Sequence, residues 1–96
     1  MMACYFYAAL PYIFLHPMNK TVKVDNDSTN VAFMCMASGA ISYYWLRENG
    51  NINARGNILV LHNVLPSDSD HYQCVAENEH GETYSNYAVF TVEGNR

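Results

Sequence analysis

The amino-acid sequence predicts an all-β protein, a sandwich of two antiparallel sheets within one domain. From residue 12 onward, short runs of β-prone residues alternate with turn residues, and no segment has a helical period. Two of these runs, residues 31–37 and 72–76, each carry a cysteine on the side that their alternation assigns to the core. The length of 96 residues fits one such domain and leaves no room for a second.

The strands of the first half follow in order along the chain. Residues 12–15 form the first strand, and His16 with Pro17 ends it because proline lacks an amide donor. Residues 20–24 resume an extended course. In residues 31–37 the alternation points every second side chain inward, namely Val31, Phe33, Cys35 and Ala37.

The next strand is predicted around Trp45, and Asn49 with Gly50 forms a tight turn after it. Only a short interval separates Trp45 from Leu59, so we expect at most one short edge strand between them. Four more strands are predicted in this half of the chain, and alternation points three side chains of each toward the core. They are Ile41, Tyr43 and Trp45 in the first, Leu59, Leu61 and Val64 in the second, Tyr72, Cys74 and Ala76 in the third, and Ala88, Phe90 and Val92 in the last. Residues 78–81 are predicted to form the last hairpin.

The run Asp68-x-x-x-Tyr72-x-Cys74, together with Cys35 and Trp45, resembles the immunoglobulin fold. The resemblance covers residues 11–93 and implies a Greek-key sandwich with a trimmed C′/D region. It also implies a Cys35–Cys74 disulfide packed against Trp45, and a hydrogen bond from the Tyr72 hydroxyl to backbone just upstream. The change of sheet after a proline is similar to intermediate (I-set or C2-like) domains.

The sequence departs from the family pattern at two places. Asp70 stands where a glycine or alanine is usual, a position at which aspartate tolerates unusual backbone angles. The last strand lacks the Gly-x-Gly of antigen receptors, which argues against an antibody or T-cell-receptor domain. The short interval before Leu59 argues against a variable-type domain as well.

The domain is expected to span residues 11–94, with residues 1–10 as an apolar segment outside the core. Whether that segment is a fragment start or the remnant of a signal peptide stays open. It is too short for a transmembrane helix because Pro11 interrupts it, so any membrane attachment would use a segment outside this chain. Cys4 is the cysteine left without a pair.

Charge and residue spacing indicate which chemistries to exclude. The net charge of −4 and only five Lys and Arg argue against nucleic acid and anionic membranes as partners. Asp68 and Asp70 suggest a carboxylate pair, but one is committed to the tyrosine corner, near Arg47 or Arg55. The histidines lack metal-site spacing. We expect no enzyme activity, metal, cofactor or small-molecule substrate. The four histidines are His16, His62, His71 and His80.

A disulfide in a small β-rich chain indicates an oxidising compartment, and Asn19-x-Thr and Asn26-x-Ser are candidate N-glycosylation sites. Both observations favour an extracellular glycoprotein. Two reduced core thiols in a cytosolic domain are the alternative.

The expected binding surface is the sheet that contains Trp45 and Cys74. Its outward residues are Tyr44, Leu46, Gln73, Val75, Tyr87 and Val89. Most are apolar or aromatic, and Tyr is enriched at protein interfaces. The opposite sheet offers a rival patch of Met34, Met36, Val60 and His62, which we expect glycans at Asn19 and Asn26 to flank. Scattered apolar residues on a small domain also need no partner.

These observations predict a protein–protein recognition module of a cell-surface adhesion molecule, a receptor ectodomain or an extracellular matrix protein. Its partner is another protein, homophilic or heterophilic. One alternative is an intracellular cytoskeletal or sarcomeric immunoglobulin domain that acts as a spacer. Another is a non-catalytic ectodomain module of a receptor kinase or phosphatase. The step from fold to function rests on analogy.

Overall fold

The computed structural model describes residues 9–25 and 28–94. Within these ranges it contains nine strands and one turn of 3-10 helix, Pro66–Asp68. The strands are β1 Tyr12–Leu15, β2 Lys20–Val24, β3 Val31–Met34, β4 Met36–Ser38, β5 Ser42–Arg47, β6 Ile58–Leu61, β7 Asp70–Asn78, β8 Gly81–Tyr84 and β9 Ala88–Gly94. The predicted all-β fold is confirmed.

Five strands form the larger sheet. Its order is β2-β9-β7-β5, and β8 also pairs with β7. The pairing of β2 with β9 is parallel, whereas the other pairs are antiparallel. Strand β1 belongs to the other layer, so the predicted change of sheet after His16 and Pro17 is confirmed. We call the larger sheet, with β2, β5, β7, β8 and β9, the five-stranded sheet.

Strands β1, β3, β4 and β6 form the second layer. Strand β1 pairs with β4, and β3 pairs with β6, all antiparallel. The predicted strand over residues 31–37 is therefore divided at Cys35, whose backbone N–H donates to the Asn57 carbonyl at 2.9 Å. Its two halves pair with different strands, which is why a single run in the sequence gives two short ladders.

The core lies between the two layers and is crossed by the Cys35–Cys74 disulfide, with a Cα–Cα distance of 6.3 Å. Trp45 is buried directly opposite Cys74 in the β5–β7 ladder. The ring of Phe33 packs on Tyr72 at 5.8 Å and on Phe90 at 5.4 Å between centroids. Burying one side chain of this size contributes about 1.5–3 kcal/mol, so these aromatic residues carry much of the hydrophobic stabilisation.

Most predicted inward residues are buried, but Ile41 is not. Its side chain is 74% exposed because β5 begins only at Ser42, so Ile41 lies in the loop before the strand. Residues 48–57 form no strand, and pairing there is limited to the single bridges Tyr44–Arg55 and Arg47–Gly50. The expectation of at most a short edge strand is thus confirmed.

The tyrosine corner forms as predicted. The Tyr72 hydroxyl donates a hydrogen bond to the Asp68 carbonyl at 2.7 Å, and burial raises the pKa of Tyr72. The Asp68 carboxylate accepts from the Leu65 N–H at 2.8 Å across the 3-10 turn. The backbone and side chain of Asp68 therefore both hold the turn that leads into β7.

We predict that Tyr72→Phe lowers the free energy of unfolding by about 1–3 kcal/mol, because the ring remains but the half-buried Asp68 carbonyl loses its donor. Chemical denaturation measures this. Tyr12→Phe is a matched control, since Tyr12 is 69% exposed and should change stability by under about 0.5 kcal/mol. Equal effects of the two substitutions would show that the corner does not contribute.

Candidate protein-binding face

The outer face of the five-stranded sheet holds the six residues predicted to bind a partner. Leu46, Tyr87 and Val89 are exposed there, while Tyr44 and Gln73 are half-buried. Exposed Tyr84 of β8 adds to this group. Three tyrosines, Tyr44, Tyr84 and Tyr87, thus lie on one side of one sheet.

The sixth residue, Val75, corrects the prediction. It points outward as expected, but its exposed fraction is 0%. The register places Val75 beside Tyr44 of β5 and Tyr84 of β8. These two large side chains flank it on both neighbouring strands, so Val75 is buried on the outer face and offers no contact surface.

Glu82 ties the two flanking tyrosines together. Its carboxylate accepts from the Tyr44 hydroxyl at 3.0 Å and from the Tyr84 hydroxyl at 3.1 Å. Partial burial, followed by the nearby Glu82 carboxylate, raises the pKa of Tyr44 to about 12. Both effects favour the protonated hydroxyl, which is the form that donates to Glu82.

Arg55 extends this network toward the start of β5. Its guanidinium lies over the Tyr44 ring at 5.7 Å and pairs with Glu77 at 3.2 Å. The Ser42 hydroxyl donates to the same Glu77 oxygen at 2.9 Å. Because the ion pair is exposed, it contributes only about 0–1 kcal/mol to stability and leaves its charges near the surface.

At the other end of the face, His71 lies between Glu48 and Tyr87. The His71 Nδ1 lies 2.9 Å from a Glu48 oxygen, and its ring lies 5.7 Å from that of Tyr87. Gln73 donates to the Ser85 carbonyl at 2.8 Å, so part of its hydrogen-bonding capacity is already used. Charged groups thus stand at both ends of an apolar and aromatic centre.

Tyr84 is not predicted from the sequence pattern because the last strand is interrupted. Ser85 and Ala88 are both buried, although strict alternation would not place both of these positions inward. Residues 85–87 therefore contain an irregularity that changes the register between β8 and β9. The Ser85 hydroxyl, which accepts from the Cys74 N–H at 2.9 Å, is a polar signal of this break.

Asp70, not Asp68, is the carboxylate that pairs with Arg47. The Arg47 Nε lies 2.7 Å from Asp70, whose side chain is 2% exposed. Asn49 donates to Asp70 from its backbone at 3.2 Å and from its side chain at 3.1 Å, and the His71 N–H donates at 2.7 Å. Of the two arginines expected near an aspartate, Arg47 is therefore the one that pairs with it, and Arg55 pairs with Glu77.

Asp70 does not use the unusual backbone angles that aspartate tolerates. Among the described non-glycine residues, positive φ occurs at Asn63 alone. Burial by itself would raise the pKa of Asp70, but the hydrogen bonds from Arg47, His71 and Asn49 outweigh burial and lower that pKa. The same contact raises the pKa of Arg47. Asp70, at a position where the family usually has a small residue, therefore holds the Arg47 side chain in place.

The two aspartates do not form a proton-transfer pair in this arrangement, since each carboxylate is engaged by donors of the fold. In residues 9–25 and 28–94, no cluster of three or more His, Cys, Asp or Glu side chains is placed to hold a metal ion. The same part of the chain contains no helix of the length and apolarity needed to cross a membrane.

Asn19 lies at an edge of the five-stranded sheet. Its Oδ1 accepts from the Val89 N–H of β9 at 2.7 Å, and its side chain is exposed. A glycan at Asn19 would therefore lie next to the predicted binding face. Asn26 and Cys4 lie outside the described residues.

Comparison with known proteins agrees with this geometry. The sequence profile of a family described as immunoglobulin domain matches residues 12–92. The chain belongs to the immunoglobulin domain family. Immunoglobulin domains are in general non-catalytic.

Two relatives show the similarity at sequence level. Contactin-5 of Rattus norvegicus is 29% identical over 83 residues, covering 77% of this chain and 8% of contactin-5. Protogenin of Mus musculus is 36% identical over 61 residues, covering 55% of this chain and 5% of protogenin. This immunoglobulin domain thus spans less than a tenth of either relative.

The solved structure of the tandem Ig repeats of Dlar superposes with a TM-score of 0.78 at 23% identity. The match covers 93% of this chain and 51% of that one. At this identity the likeness supports the fold.

We predict that Asp70→Asn lowers the free energy of unfolding by about 2–3 kcal/mol at neutral pH. Removing one member of a buried ion pair costs roughly 3–5 kcal/mol, and Arg47 keeps some contact with water. Because the pKa of Asp70 is lower in the folded chain, this stabilisation exists above the unfolded pKa of about 3.9 and is lost as the pH falls through the folded pKa.

The difference in the free energy of unfolding between wild type and Asp70→Asn should therefore become smaller below about pH 4. Denaturant titrations at several pH values measure this difference. Arg55→Gln is the control, because its ion pair is exposed and should be worth under about 1 kcal/mol. A gap that stays constant down to low pH would contradict the assigned role of the carboxylate.

Proposed function

We propose that this immunoglobulin domain is a protein–protein recognition module of a cell-surface adhesion molecule, a receptor ectodomain or an extracellular matrix protein. The observation that carries the proposal is the outer face of the five-stranded sheet. Its centre exposes Leu46, Tyr84, Tyr87 and Val89. Aromatic anchors surrounded by charged groups are the composition that protein interfaces favour.

The binding surface is therefore a revised version of the predicted one. Leu46, Tyr87 and Val89 form its centre with Tyr84, while Tyr44 and Gln73 support it from half-buried positions. Val75 lies beneath. Glu48, Glu82 and Arg55 supply charge at its ends, which suits a partner with its own mixed polar rim.

The partner is a protein, and the chain acts without a cofactor, small-molecule substrate, nucleic acid or chemistry of its own. Support comes from the engagement of Asp68 and Asp70 by the fold and from the net charge of −4. Residues 11–94 make up the domain. The carbonyl of Pro11 accepts from the Thr83 hydroxyl at 2.6 Å, which attaches the start of this span to β8.

The compartment is extracellular, and the chain is one unit of a longer protein. The Cys35–Cys74 bond supports this, as does an exposed Asn19 whose hydrogen bond uses Oδ1 and not the Nδ2 that carries a glycan. An intracellular spacer domain and an ectodomain module of a receptor kinase or phosphatase are the competing functions.

The compartment is tested on protein isolated from its native source. We expect Cys35 and Cys74 to resist alkylation until reductant is added, and an N-glycosidase to reduce the mass. Asn19→Gln should remove one glycan, and Asn26→Gln serves as the matched comparison. Alkylation of both core thiols without reductant, with no glycan at either site, would favour the intracellular spacer.

Recognition is tested by measuring how the chain, presented as a streptavidin tetramer, binds to cells. Each cell displays one cell-surface receptor ectodomain. We expect binding to at least one ectodomain, weakened roughly tenfold or more by Leu46→Asp or Tyr87→Asp, as for residues at the centre of an interface. Met34→Asp is the matched control on the second layer. Circular dichroism confirms that each variant folds.

Two results would count against the proposal. If no ectodomain binds, recognition loses its support. If Met34→Asp weakens binding while Leu46→Asp and Tyr87→Asp do not, the second layer is the recognition surface and the assigned face is wrong.

A further inference from the structure

The second layer differs from the five-stranded sheet in the complete lack of charge on its strands. Strands β1, β3, β4 and β6 contain no Asp, Glu, Lys or Arg. Their outer face nevertheless exposes large apolar side chains, namely Phe14, Met34, Met36, Ile58 and Val60. An exposed apolar face of several strands marks an interaction surface more often than single exposed residues do.

One edge of this layer has free backbone groups. The bond from the Cys35 N–H to the Asn57 carbonyl fixes which backbone groups of β6 face β3. By alternation, Leu59 and Leu61 bond toward β3, whereas the N–H and C=O of Ile58 and Val60 point away. Among the described residues, no strand pairs with that side of β6.

The segment that would cover this edge lies elsewhere. The Ala54 carbonyl accepts from the Trp45 N–H at 3.1 Å, and the Gly56 N–H donates to the Tyr43 carbonyl at 3.0 Å. Residues 54–56 therefore run along β5 in the five-stranded sheet. The short interval between β5 and β6 leaves β6 as an open edge.

The two edges of the β3–β6 pair are also protected differently. Beside β3, Lys20 extends its ammonium group over the Phe33 ring at 5.5 Å, and a charged side chain at an edge discourages strand pairing. Residues 57–62 contain no lysine, proline or acidic residue. Proteins commonly guard exposed edges with those residues, so the β6 edge is left open to an added strand.

We propose that a second copy of this chain adds to this edge, with β6 antiparallel to β6 about a two-fold axis at Leu59. In this register Ile58 faces Val60 of the second copy, and the outward groups of these residues form four main-chain hydrogen bonds. The contact is isologous, because each copy supplies the same strand.

The charge distribution favours a second copy as the occupant. The chain carries a net charge of −4, and a two-fold contact brings identical residues near one another, so an acidic surface would repel its own copy. The β6 edge avoids this repulsion because no charged residue lies on the four strands of its layer. A contact of one four-residue strand falls in the small, transient class of interfaces, below about 1,200 Å².

The test measures self-association by sedimentation velocity over a concentration series. Val60→Pro removes an N–H that points to the open edge and leaves the bonds between β6 and β3 in place. Ala32→Pro is the matched control, because Ala32 pairs with Val60 and its N–H points to the opposite edge of the same pair. We expect Val60→Pro to weaken dimerisation about tenfold to a hundredfold and Ala32→Pro to leave it unchanged.

A charge exchange tests the register itself. Ile58→Glu and Val60→Lys should each weaken the dimer, because either substitution places an unpaired charge opposite an apolar residue. An equimolar mixture of the two variants should recover association, since the introduced carboxylate of one copy would then face the introduced ammonium group of the other. Denaturation curves verify that every variant is folded.

Three results would overturn the proposal. The first is a wild-type chain that stays monomeric at the highest concentration. The second is a dimer that Val60→Pro leaves unchanged, and the third is a dimer that Tyr87→Asp abolishes and Val60→Pro does not. The last result would place the second copy on the five-stranded sheet. The first two results leave ectodomain binding by that sheet untouched, and the third would add support to that sheet as a binding face, so failure here is distinguishable from failure of the proposed function.

Discussion

The covalent bond between Cys35 and Cys74 is the constraint on which the other placements depend. Side chains of a strand alternate with a period of two, so fixing one residue toward the core fixes the side of every other residue in its ladder. Cys74 fixes β7 and, through its pairing with Trp45, also β5. Cys35 fixes β3 on the opposite layer. The bond thereby sets the core and the outer face together.

This constraint explains why the sequence predicts the core so well and the surface less well. Alternation gives the direction in which a side chain points, but not whether neighbouring side chains bury it. Val75 points outward as expected and is buried, because Tyr44 and Tyr84 come from strands far apart in sequence. Ile41 has the right parity and is exposed, because its strand begins one residue later. Burial depends on the register between neighbouring strands and on where each strand ends. The residue pattern of a single strand does not give either of these.

The electrostatic contacts show a similar limit. From the sequence, one of the two aspartates is expected at the tyrosine corner, near Arg47 or Arg55, but the pattern does not show which contacts each one makes. In the structure, Asp68 lies in the 3-10 turn and accepts a local backbone N–H, whereas Asp70 begins β7 and reaches Arg47 of the neighbouring strand. The side chains are identical, and only their positions relative to the start of the strand separate a turn-forming role from a cross-strand ion pair.

The separation of charge between the two layers has a consequence for function. The outer face of the five-stranded sheet carries Glu48, Glu77, Glu82 and Arg55 around its tyrosines, and charges of this kind set orientation and partner choice. The second layer carries no charge on its strands, so contacts there depend on backbone pairing and apolar area, which are less selective toward other proteins but compatible with an identical copy. Because the two faces lie on opposite sides of the sandwich, occupation of one leaves the other accessible. A weak contact between two copies would then present two copies of the five-stranded sheet at once. Two linked binding faces bind an array of partner molecules with higher avidity, although the affinity of each single site is unchanged.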